Sequence, residues 1–194
     1  FARYTVDEKW AIPHFEKMLY DNAQLLGLYA QAYRATNKPR YRQIMEAIMT
    51  FLETSLQHPD GLFYASLDAD SEGEEGRYYT WTTSEIKQAL GQDDSVQKHF
   101  QNYFQLVTLD SDRQVLTRKA GSGDPPDYVR QKLLAARSKR SPPPRDEKLI
   151  TSWNALAIQG YCEAYRSLGR ESLRQKALQM GQFLATRLMS SEGQ

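Results

Sequence analysis

Residues 22–56 read NAQLLGLYAQAYRATNKPRYRQIMEAIMTFLETSL, and residues 154–188 read NALAIQGYCEAYRSLGRESLRQKALQMGQFLATRL. The two stretches align without a gap at an offset of 132 residues, and 12 of the 35 aligned positions are identical. The identities include the tripeptide Ala-Tyr-Arg at 32–34 and again at 164–166. An internal repeat of this length is typical of folds assembled from one repeated supersecondary unit.

Each copy carries the pattern of a helical hairpin. Apolar residues recur at spacings of three and four on both sides of a break, which is Asn37–Pro39 in the first copy. The pattern predicts hairpins over residues 13–56 and 152–189, with Pro13 at the start of the first helix. Unrelated amphipathic hairpins would share the apolar spacing, but not the identities beside the turn. Such hairpins bury their inner faces only against neighbours, so the repeat predicts a mainly α fold, a toroid of hairpins packed side by side.

Composition narrows the function classes. The chain has 194 residues, 40% of them hydrophobic and 25% charged, and a formal net charge of +1. These values exclude a disordered chain and argue against binding to nucleic acid or to an anionic membrane, and there is no apolar run long enough to span a membrane. The lone cysteine, Cys162, excludes an internal disulfide and, without a signal-peptide pattern, favours a cytoplasmic location. The chain begins with Phe1 instead of Met, which suggests a piece of a longer protein.

Residues 57–151 form an irregular insert between the two hairpins. A short β-hairpin is expected near residues 61–81, either as a compact pair or as two strands across the acidic turn 70–76. Thr83, or Thr82 in its place, is expected to cap a short helix. The remaining predicted elements are strand 77–81 of that hairpin, helices at 95–104 and 128–140, and a strand at 114–118.

Two clusters of polar residues occur near the predicted starts of the long helices. They are His14, Glu16, Asp21 and Asn22 in the first copy, and Arg145, Asp146, Trp153 and Asn154 in the second. A helix start is receptive to anionic and hydroxyl groups through its free N–H groups and its dipole. If both helices line one toroid, both clusters open onto the same end of its cavity. The alternative role is helix capping by Glu16, Asp21, Thr151 or Ser152.

The acidic turn resembles a metal-binding loop only in part. Asp68, Asp70, Glu72 and Gly73 match positions 1, 3, 5 and 6 of a calcium-binding EF-hand loop, but position 12 is Tyr79 where a bidentate Glu is required. No metal site and no cofactor is therefore predicted. The carboxylates, Asp70 among them, either supply acid and base groups from a loop over the cavity or form a solvated loop.

Four motifs resemble one family. They are FARYTVDEKW at 1–10, IPHFEKMLYDN at 12–22, DADSEGEEG at 68–76 and PPRDEKLITSWN at 143–154. In this order they are similar to the thioredoxin-domain-containing proteins related to spermatogenesis-associated protein 20, over essentially the whole chain. The sequence departs from the family pattern at Asn154–Ala155, where many members have Asn-Gly.

The resemblance implies an N-terminal thioredoxin-like domain, absent from these 194 residues, followed by an (α/α)6 toroid similar to six-hairpin glycosidases and to N-acylglucosamine 2-epimerase. A complete toroid of twelve helices needs roughly twice this length. Residues 1–194 are therefore expected to be a fragment of one toroid domain. Its apolar flanks are expected to pair with the rest of the toroid or, in isolation, with a second copy of the fragment.

Two functions are compatible with these features. The first is a carbohydrate-active isomerase, epimerase or hydrolase acting on a small sugar-like ligand, with a histidine as general acid/base and a tryptophan stacked on the sugar ring. The second is a non-enzymatic domain that binds a ligand or partner in the service of the thioredoxin-like domain. The predicted catalytic residues are His14, Asp21, Asp70 and Asp146, and the predicted substrate-binding residues are Arg3, Tyr4, Glu16, Asn22, Arg145, Trp153 and Asn154.

Overall fold

The structure, a computed structural model, describes residues 1–188; residue 189, the expected end of the second hairpin, lies outside the described residues. Seven α-helices lie in this part of the chain: α1 Leu19–Thr36, α2 Pro39–Phe51, α3 Thr83–Leu90, α4 Asp94–Tyr103, α5 Asp127–Arg137, α6 Thr151–Leu168 and α7 Glu171–Phe183. The strands are β1 Lys17–Met18, β2 Ser66–Leu67, β3 Asp70–Ser71, β4 Glu74–Glu75, β5 Phe104–Thr108, β6 Gln114–Arg118 and β7 Arg145–Asp146. The fold is mainly helical with small β-hairpins, as the sequence predicts.

The chain divides into two compact units. The helical unit consists of Phe1, residues 16–68 and the described residues from Arg145 onward. The insert unit consists of residues 2–15 and 69–144. Each unit has buried apolar clusters of its own. The N-terminal stretch thus belongs with the insert in the fold, although the two are far apart in sequence.

The two sequence copies form two helical hairpins with matching bounds. Helices α6 and α7 occupy the positions of α1 and α2 at the offset of 132 residues. The hairpins turn at residues in the left-handed conformation, Asn37 (φ 52°) and Gly169 (φ 65°), each donating its backbone N–H to the helix before it. Each second helix continues into a π-helical turn, Leu52–Leu56 or Leu184–Leu188. The repeat therefore extends to turn and helix-end geometry, which unrelated amphipathic hairpins would not share.

The first long helix begins later than predicted. Pro13 is not its first residue, because Pro13 forms an antiparallel bridge with Thr5 and the chain stays extended through β1. Helix α1 begins at Leu19. A proline signal for a helix start is local, and here a contact with a distant segment overrides it. His14 therefore precedes the helix, whereas Asp21 lies in the first turn, as predicted.

Helices α1 and α6 run parallel and in close contact. Tyr20 and Trp153 meet near the two N-terminal ends, with their ring centroids 4.8 Å apart. The Ser167 hydroxyl, near the other end of α6, donates to the carbonyl of Ala30 on α1 at 2.8 Å. Midway, Gly160 has no side chain to hold the two backbones apart. Side-by-side helices from successive hairpins are what a toroid requires, and the closed ring itself stays a prediction.

Apolar side chains fill the interior of the helical unit. The largest fully buried ones are Tyr161, Phe63, Leu19, Leu26, Met45, Leu52, Leu56, Leu62 and Met180. Full burial of a leucine or methionine side chain stabilises a fold by about 1.5–3 kcal/mol. Leu28 on α1 and Leu178 on α7 are instead 58% and 48% exposed. Both hairpins thus present apolar surface, and its pairing with another segment or copy stays a prediction.

A buried glutamate, ion-paired with two partly exposed arginines, joins the C-terminal halves of the two parallel helices. Glu163 on α6 accepts hydrogen bonds from Arg34 of α1 at 3.1 Å and from Arg166 at 2.6 Å, and only 8% of Glu163 is exposed. Burial alone would raise the pKa of Glu163, but the hydrogen bonds from Arg166 and Arg34 outweigh it and hold this pKa below its usual value. The charged form of Glu163 is thus stabilised in the folded state.

Acid is expected to destabilise the helical unit partly through Glu163. A carboxyl group with a lowered folded-state pKa stabilises the fold above its unfolded pKa, about 4.3 for Glu, and this contribution is lost as the pH falls through the folded value. Urea unfolding at about pH 7 and about pH 3 should therefore show a smaller loss of stability in Glu163→Gln than in the wild type. Glu171→Gln, which removes an exposed pair with Arg174, is the control and should leave that loss unchanged. An unaltered loss in Glu163→Gln would contradict the prediction.

A three-stranded antiparallel sheet joins the starts of the two long helices. Strand β2 lies between β1 and β7, with Leu67 opposite Lys17 on one side and Arg145 on the other. Helix α1 follows β1 directly, and α6 follows β7 after a short link. The backbone N–H of Leu19 also donates to the carbonyl of Ala65 at 2.9 Å. The sheet therefore brings both helix starts to one end of the helical unit.

The predicted β-hairpin near residues 61–81 is present in part. Strands β3 and β4 pair as a hairpin, but they lie inside the expected turn 70–76 instead of flanking it, and the expected strand over residues 77–81 is wrong. The backbone N–H of Thr80 donates to the carbonyl of Gly76 at 2.9 Å, so the chain turns there. Trp81 then makes an isolated bridge with Gln114. Gly76 has a φ of +72°, which favours a turn over continuation of the strand.

Helix α3 begins with a reciprocal cap. Thr82, the alternative to Thr83, accepts the backbone N–H of Glu85 at 3.1 Å, and the Glu85 carboxylate accepts the N–H of Thr82 at 2.7 Å. Helices α3, α4 and α5 supply most of the larger apolar cluster of the insert unit, together with Trp81. The predicted strand at 114–118 is confirmed as β6, and it pairs with β5 along its whole length.

Candidate functional site

A histidine–carboxylate pair lies in the insert unit. His14 Nδ1 is 3.0 Å from Glu75 Oε1, and the two side chains are 23% and 52% exposed. An ionised carboxylate only accepts hydrogen bonds, so Nδ1 of a neutral His14 ring is the donor and Nε2 carries the lone pair. This orientation by a carboxylate is the one found where histidine acts as an acid or base.

Two other predicted site residues surround the pair. The Tyr4 ring stacks on the His14 ring with the centroids 4.7 Å apart and the planes 14° from parallel. Asp70 on β3 lies directly opposite Glu75 on β4, and facing residues of antiparallel strands have β-carbons about 5 Å apart. The insert unit thus brings together predicted residues Tyr4, His14 and Asp70 around Glu75, whose role as the histidine's partner was not predicted.

The N-terminal segment is held in a closed loop by one carboxylate. Asp7 accepts the backbone N–H groups of Ile12 at 2.6 Å, Ala11 at 2.9 Å and Lys9 at 3.0 Å. These bonds, the one from Ile12 foremost, hold the pKa of Asp7 below its usual value. The backbone N–H of His14 donates to the carbonyl of Tyr4 at 2.9 Å and closes the base of the loop. This loop fixes His14 and Tyr4 side by side.

The tip of this loop presents a tryptophan. Trp10 is 82% exposed, and its φ of 56° lies in the left-handed region, which non-glycine residues seldom adopt. Its backbone N–H donates to the carbonyl of Asp7 at 3.2 Å, so the strained conformation is held by the loop itself. An exposed, strained aromatic residue is a feature of binding sites. Sequence reasoning did not select Trp10, because its motif is polar and aromatic throughout.

The second predicted cluster lies in the helical unit. Asp146 accepts hydrogen bonds from the backbone N–H and the ammonium group of Lys148 at 3.2 and 3.1 Å, and these bonds hold the pKa of Asp146 below its usual value. Arg145 stacks on the Tyr64 ring at 4.2 Å and donates to Glu147 at 2.6 Å. Both are residues of β7, at the end of the unit where the long helices begin. Asp146 is thus ionised and exposed in part at that end.

Asn154 ties the start of α6 to a neighbouring segment. Its side-chain oxygen accepts the backbone N–H of Phe63 at 2.8 Å, and its nitrogen donates to the Phe63 carbonyl at 2.9 Å and to the Ile150 carbonyl at 3.1 Å. The expected cap by Thr151 or Ser152 is wrong, because Ile150 is the cap residue and no side chain caps the helix. Asn154 is fully buried. Its hydrogen-bonding capacity is thus used by the fold.

Asn22 repeats this arrangement at the start of α1. Its side-chain nitrogen donates to the carbonyls of Met18 at 2.9 Å and Phe1 at 3.2 Å, and its oxygen accepts from the Phe1 amine at 2.6 Å. Asn22 therefore hydrogen-bonds the main-chain nitrogen and oxygen of Phe1, just as Asn154 hydrogen-bonds those of Phe63. The arrangement gives both asparagines an architectural role, and their contact with a substrate stays a prediction.

The same two phenylalanines also make equivalent aromatic stacks in the two copies of the repeat. The Phe1 ring stacks on Tyr29 with the centroids 5.8 Å apart, and the Phe63 ring stacks on Tyr161 with the centroids 5.9 Å apart. Tyr29 and Tyr161 are themselves equivalent positions of the repeat. Phe1 is 21 residues from Asn22 in sequence, whereas Phe63 is 91 residues from Asn154. An alignment at a fixed offset of 132 residues therefore cannot pair the two phenylalanines.

The predicted site residues divide between the two units. Arg3, Tyr4, His14 and Asp70 lie in the insert unit, and Glu16, Asp21, Asn22, Arg145, Asp146, Trp153 and Asn154 lie in the helical unit. Within the helical unit, Trp153 contacts Tyr20 edge to face in the first turns of α6 and α1. Within the insert unit, Tyr4, His14 and Asp70 are gathered around Glu75.

Residues 1–188 were also compared with the requirements for a metal site and for a membrane-spanning helix. In these residues no three or more His, Cys, Asp or Glu side chains are grouped so that they could hold a metal ion. None of the helices in the same range is long and apolar enough to cross a membrane.

Known proteins provide an independent comparison. Spermatogenesis-associated protein 20 of Homo sapiens is 31% identical over 228 residues, and the mouse protein of that name is 31% identical over 224 residues. An uncharacterised protein of Caenorhabditis elegans is 30% identical over 223 residues. Each match covers 95% of this chain but only 28–30% of the relative.

Two further comparisons add little. No protein-family profile matches the chain. The structure of cellobiose 2-epimerase from Spirochaeta thermophila matches with a TM-score of 0.33 and 12% identity, over 100% of this chain and 51% of that one, and a likeness at this level supports no argument about fold or function. The sequence matches are the informative ones, since they cover nearly the whole chain. The chain is thus a homologue of a segment of spermatogenesis-associated protein 20, as its motifs predict, and spans little more than a quarter of that protein.

Proposed function

We propose that this chain supplies the catalytic part of a carbohydrate-active enzyme, an isomerase, an epimerase or a glycoside hydrolase. The observation that carries the proposal is the His14–Glu75 pair, with His14 Nδ1 3.0 Å from the carboxylate and the Tyr4 ring stacked on the imidazole. A histidine oriented in this way can take a proton from a sugar carbon or hydroxyl and return it.

Each group around His14 has a chemical role in the proposal. Glu75 fixes the ring and stabilises the imidazolium ion that forms when His14 accepts a proton. Asp70, opposite Glu75 in the hairpin, is the second carboxylate, and a carboxylate–histidine set allows acid and base functions to be divided. The exposed indole of Trp10 offers a flat apolar face of the kind on which a sugar ring stacks.

The predicted residues of the helical unit, Asp21 and Asp146, are considered by themselves. Asp146 is held ionised by Lys148, which suits it to accept hydrogen bonds from sugar hydroxyls. Asp21 lies in the first turn of α1, where the helix dipole favours a negative charge. Asp146→Ala therefore tests whether the helical unit takes part in turnover.

Removal of the imidazole is expected to abolish most turnover. The full-length protein is incubated with aldoses, ketoses and disaccharides, and products are followed by NMR of the anomeric protons. His14→Gln should lower kcat by about 10²–10⁴-fold, because general acid–base catalysis contributes factors of this size. Glu75→Gln should lower kcat less, since the imidazole remains but loses its orienting charge.

Controls separate this role from general damage. His58→Gln removes another histidine beside a carboxylate, with His58 Nδ1 3.7 Å from Asp60, and should leave kcat unchanged. Unaltered turnover in both His14→Gln and Asp146→Ala would overturn the residue assignment. Absence of turnover of every sugar by the wild-type protein would overturn the enzymatic proposal.

The exposed Trp10 favours a second candidate, a non-enzymatic domain that binds a ligand or partner for a thioredoxin-like domain. A strained loop tip with an 82% exposed indole is suited to recognition without catalysis. In this case Trp10→Ala weakens binding of the partner, while His14→Gln leaves it unchanged. Conversion of a sugar by the wild-type protein would decide against this candidate.

A further inference from the structure

We infer that the insert unit contains a binding site for a phosphoryl group, in a cavity of about 210 Å³ lined by Arg77, Arg113, Lys139 and Arg140. The site is separate from the His14–Glu75 pair and does not depend on the proposed sugar chemistry.

The lining of the cavity carries an excess of positive charge. Its four cationic residues face two carboxylates, Glu72 and Glu85. Arg77 donates to Glu72 at 2.8 Å and to Glu74 at 2.7 Å, so its charge is largely balanced. Arg140 is 3.3 Å from Glu85. Arg113 and Lys139 therefore supply charge that the carboxylates of the lining do not balance.

Two guanidinium groups are held close together by neutral groups. Arg113 Nη2 donates to the carbonyls of Arg77 at 2.9 Å and Thr80 at 3.1 Å, and its Nε donates to the Thr80 hydroxyl at 2.7 Å. Arg140 Nη1 donates to the same Thr80 carbonyl at 2.6 Å and to that of Tyr78 at 3.0 Å. Carbonyl oxygens fix a guanidinium group without removing its charge, so two like charges stay close together.

Burial of Arg140 raises the free-energy cost of holding its charged guanidinium group close to that of Arg113. Its side chain is only 18% exposed, and the cation–π contact with Trp81, 4.1 Å from the ring centre, offsets only part of this cost. Burial lowers the pKa of Arg140, and the neighbouring charges of Arg113 and Arg137 lower it further, against the opposite effect of Glu85. A bound anion would relieve this repulsion, because it interacts favourably with both arginines.

The hydrogen-bond donors that line the cavity favour a phosphoryl group as the bound anion. Arg113 Nη1 takes part in none of the hydrogen bonds to Arg77 and Thr80, so its N–H groups can donate to the oxygens of a phosphate. Lys139 adds a point charge, and the Ser141 hydroxyl, which now donates to Glu72 at 3.2 Å, also lines the cavity. The volume is below that of pockets for larger organic ligands, about 300 Å³ and more. It suits a phosphoryl group, either of free phosphate or of a small phosphomonoester whose organic part extends outward.

Calorimetric titration of the full-length protein with inorganic phosphate, glucose 6-phosphate and glucose tests the site. Both phosphates should bind saturably at millimolar concentration or below, and glucose should not bind at this site. Tenfold tighter binding of glucose 6-phosphate would identify a phosphomonoester as the ligand, and equal binding would identify free phosphate; both results support the site.

Charge reversal at the rim provides the decisive comparison. Lys139→Glu should weaken phosphate binding at least tenfold, because it removes an attractive charge and adds a repulsive one. Lys98→Glu, at an exposed position on α4 outside the cavity, is the matched control and should change binding less than twofold. His14→Gln should leave phosphate binding intact, so failure of the proposed enzymatic function is distinguishable. No phosphate binding by the wild type, or equal weakening by both lysine variants, would overturn the inference.

Discussion

Replacement of Asn154 by alanine is expected to destabilise the helical unit by about 3–4 kcal/mol. The side chain is fully buried and makes three hydrogen bonds to backbone groups, two of them with Phe63. Alanine would leave the N–H and the carbonyl of Phe63 without these partners, and each buried unsatisfied group costs about 1–3 kcal/mol. The effect should be large because one amide side chain serves both groups at once.

Urea unfolding of this 194-residue chain, followed by circular dichroism, measures the effect. Asn102→Ala, at an exposed position of α4, is the matched control and should change the free energy of unfolding by less than about 0.5 kcal/mol. Asn154→Asp keeps an acceptor for the Phe63 N–H but loses both donated bonds, so it should also be strongly destabilising. A loss below about 1 kcal/mol in Asn154→Ala would show that the Asn154–Phe63 contact does not hold the fold together.

Replacement of Gly160 by alanine is expected to cost about 2–3 kcal/mol by forcing α1 and α6 apart. A β-carbon at this position would lie 2.6 Å from the carbonyl oxygen of Ala23 and 3.3 Å from a methyl carbon of Leu26. The nearer atom belongs to the backbone of a helix, so it cannot move aside by a change of rotamer. The intrinsic gain of alanine over glycine in a helix, about 1 kcal/mol, opposes the clash and is smaller.

Gly181→Ala isolates the helix-propensity effect. Gly181 lies inside α7, and a β-carbon there would meet no atom of residues 1–188 within 4 Å. This variant should be stabilised by about 0.5–1 kcal/mol. The two glycine variants should therefore change the urea midpoint in opposite directions. A neutral or stabilising Gly160→Ala would contradict the close approach of the two helices.

Local sequence patterns predicted the helices well and the β-structure less well. The repeated identities from Asn22 onward predicted both hairpins, because helix formation depends on neighbours three and four residues away. The start of the first helix was misplaced because Pro13 pairs with Thr5, a contact that no helical pattern records. The strand expected at 77–81 was wrong because Trp81 pairs with Gln114 instead.

The candidate site was predictable as residue types but not as contacts. His14, Tyr4 and Asp70 were selected because their motifs combine aromatic and acid/base side chains. The partner of His14, Glu75, is 61 residues away in sequence, and several carboxylates of the same turn were equally suitable. The pairing of Arg113 with Arg140 was not predicted, because it is assembled by carbonyl groups of an intervening turn, which have no signature in the sequence.

The position of β2 between β1 and β7 has a consequence for folding kinetics. The helical unit is discontinuous in sequence, since residues 68–144 separate β2 from β7. The parallel contact of α1 with α6 forms only after that loop closes, and closing it costs about 2 kcal/mol more in chain entropy than closing a five-residue turn. Contacts of such high sequence separation slow folding. Because β2 and β7 are adjacent antiparallel strands, the ends of the excursion lie one strand spacing apart, so a short turn between Leu67 and Arg145 would remove this delay while leaving the strand pairing geometrically possible.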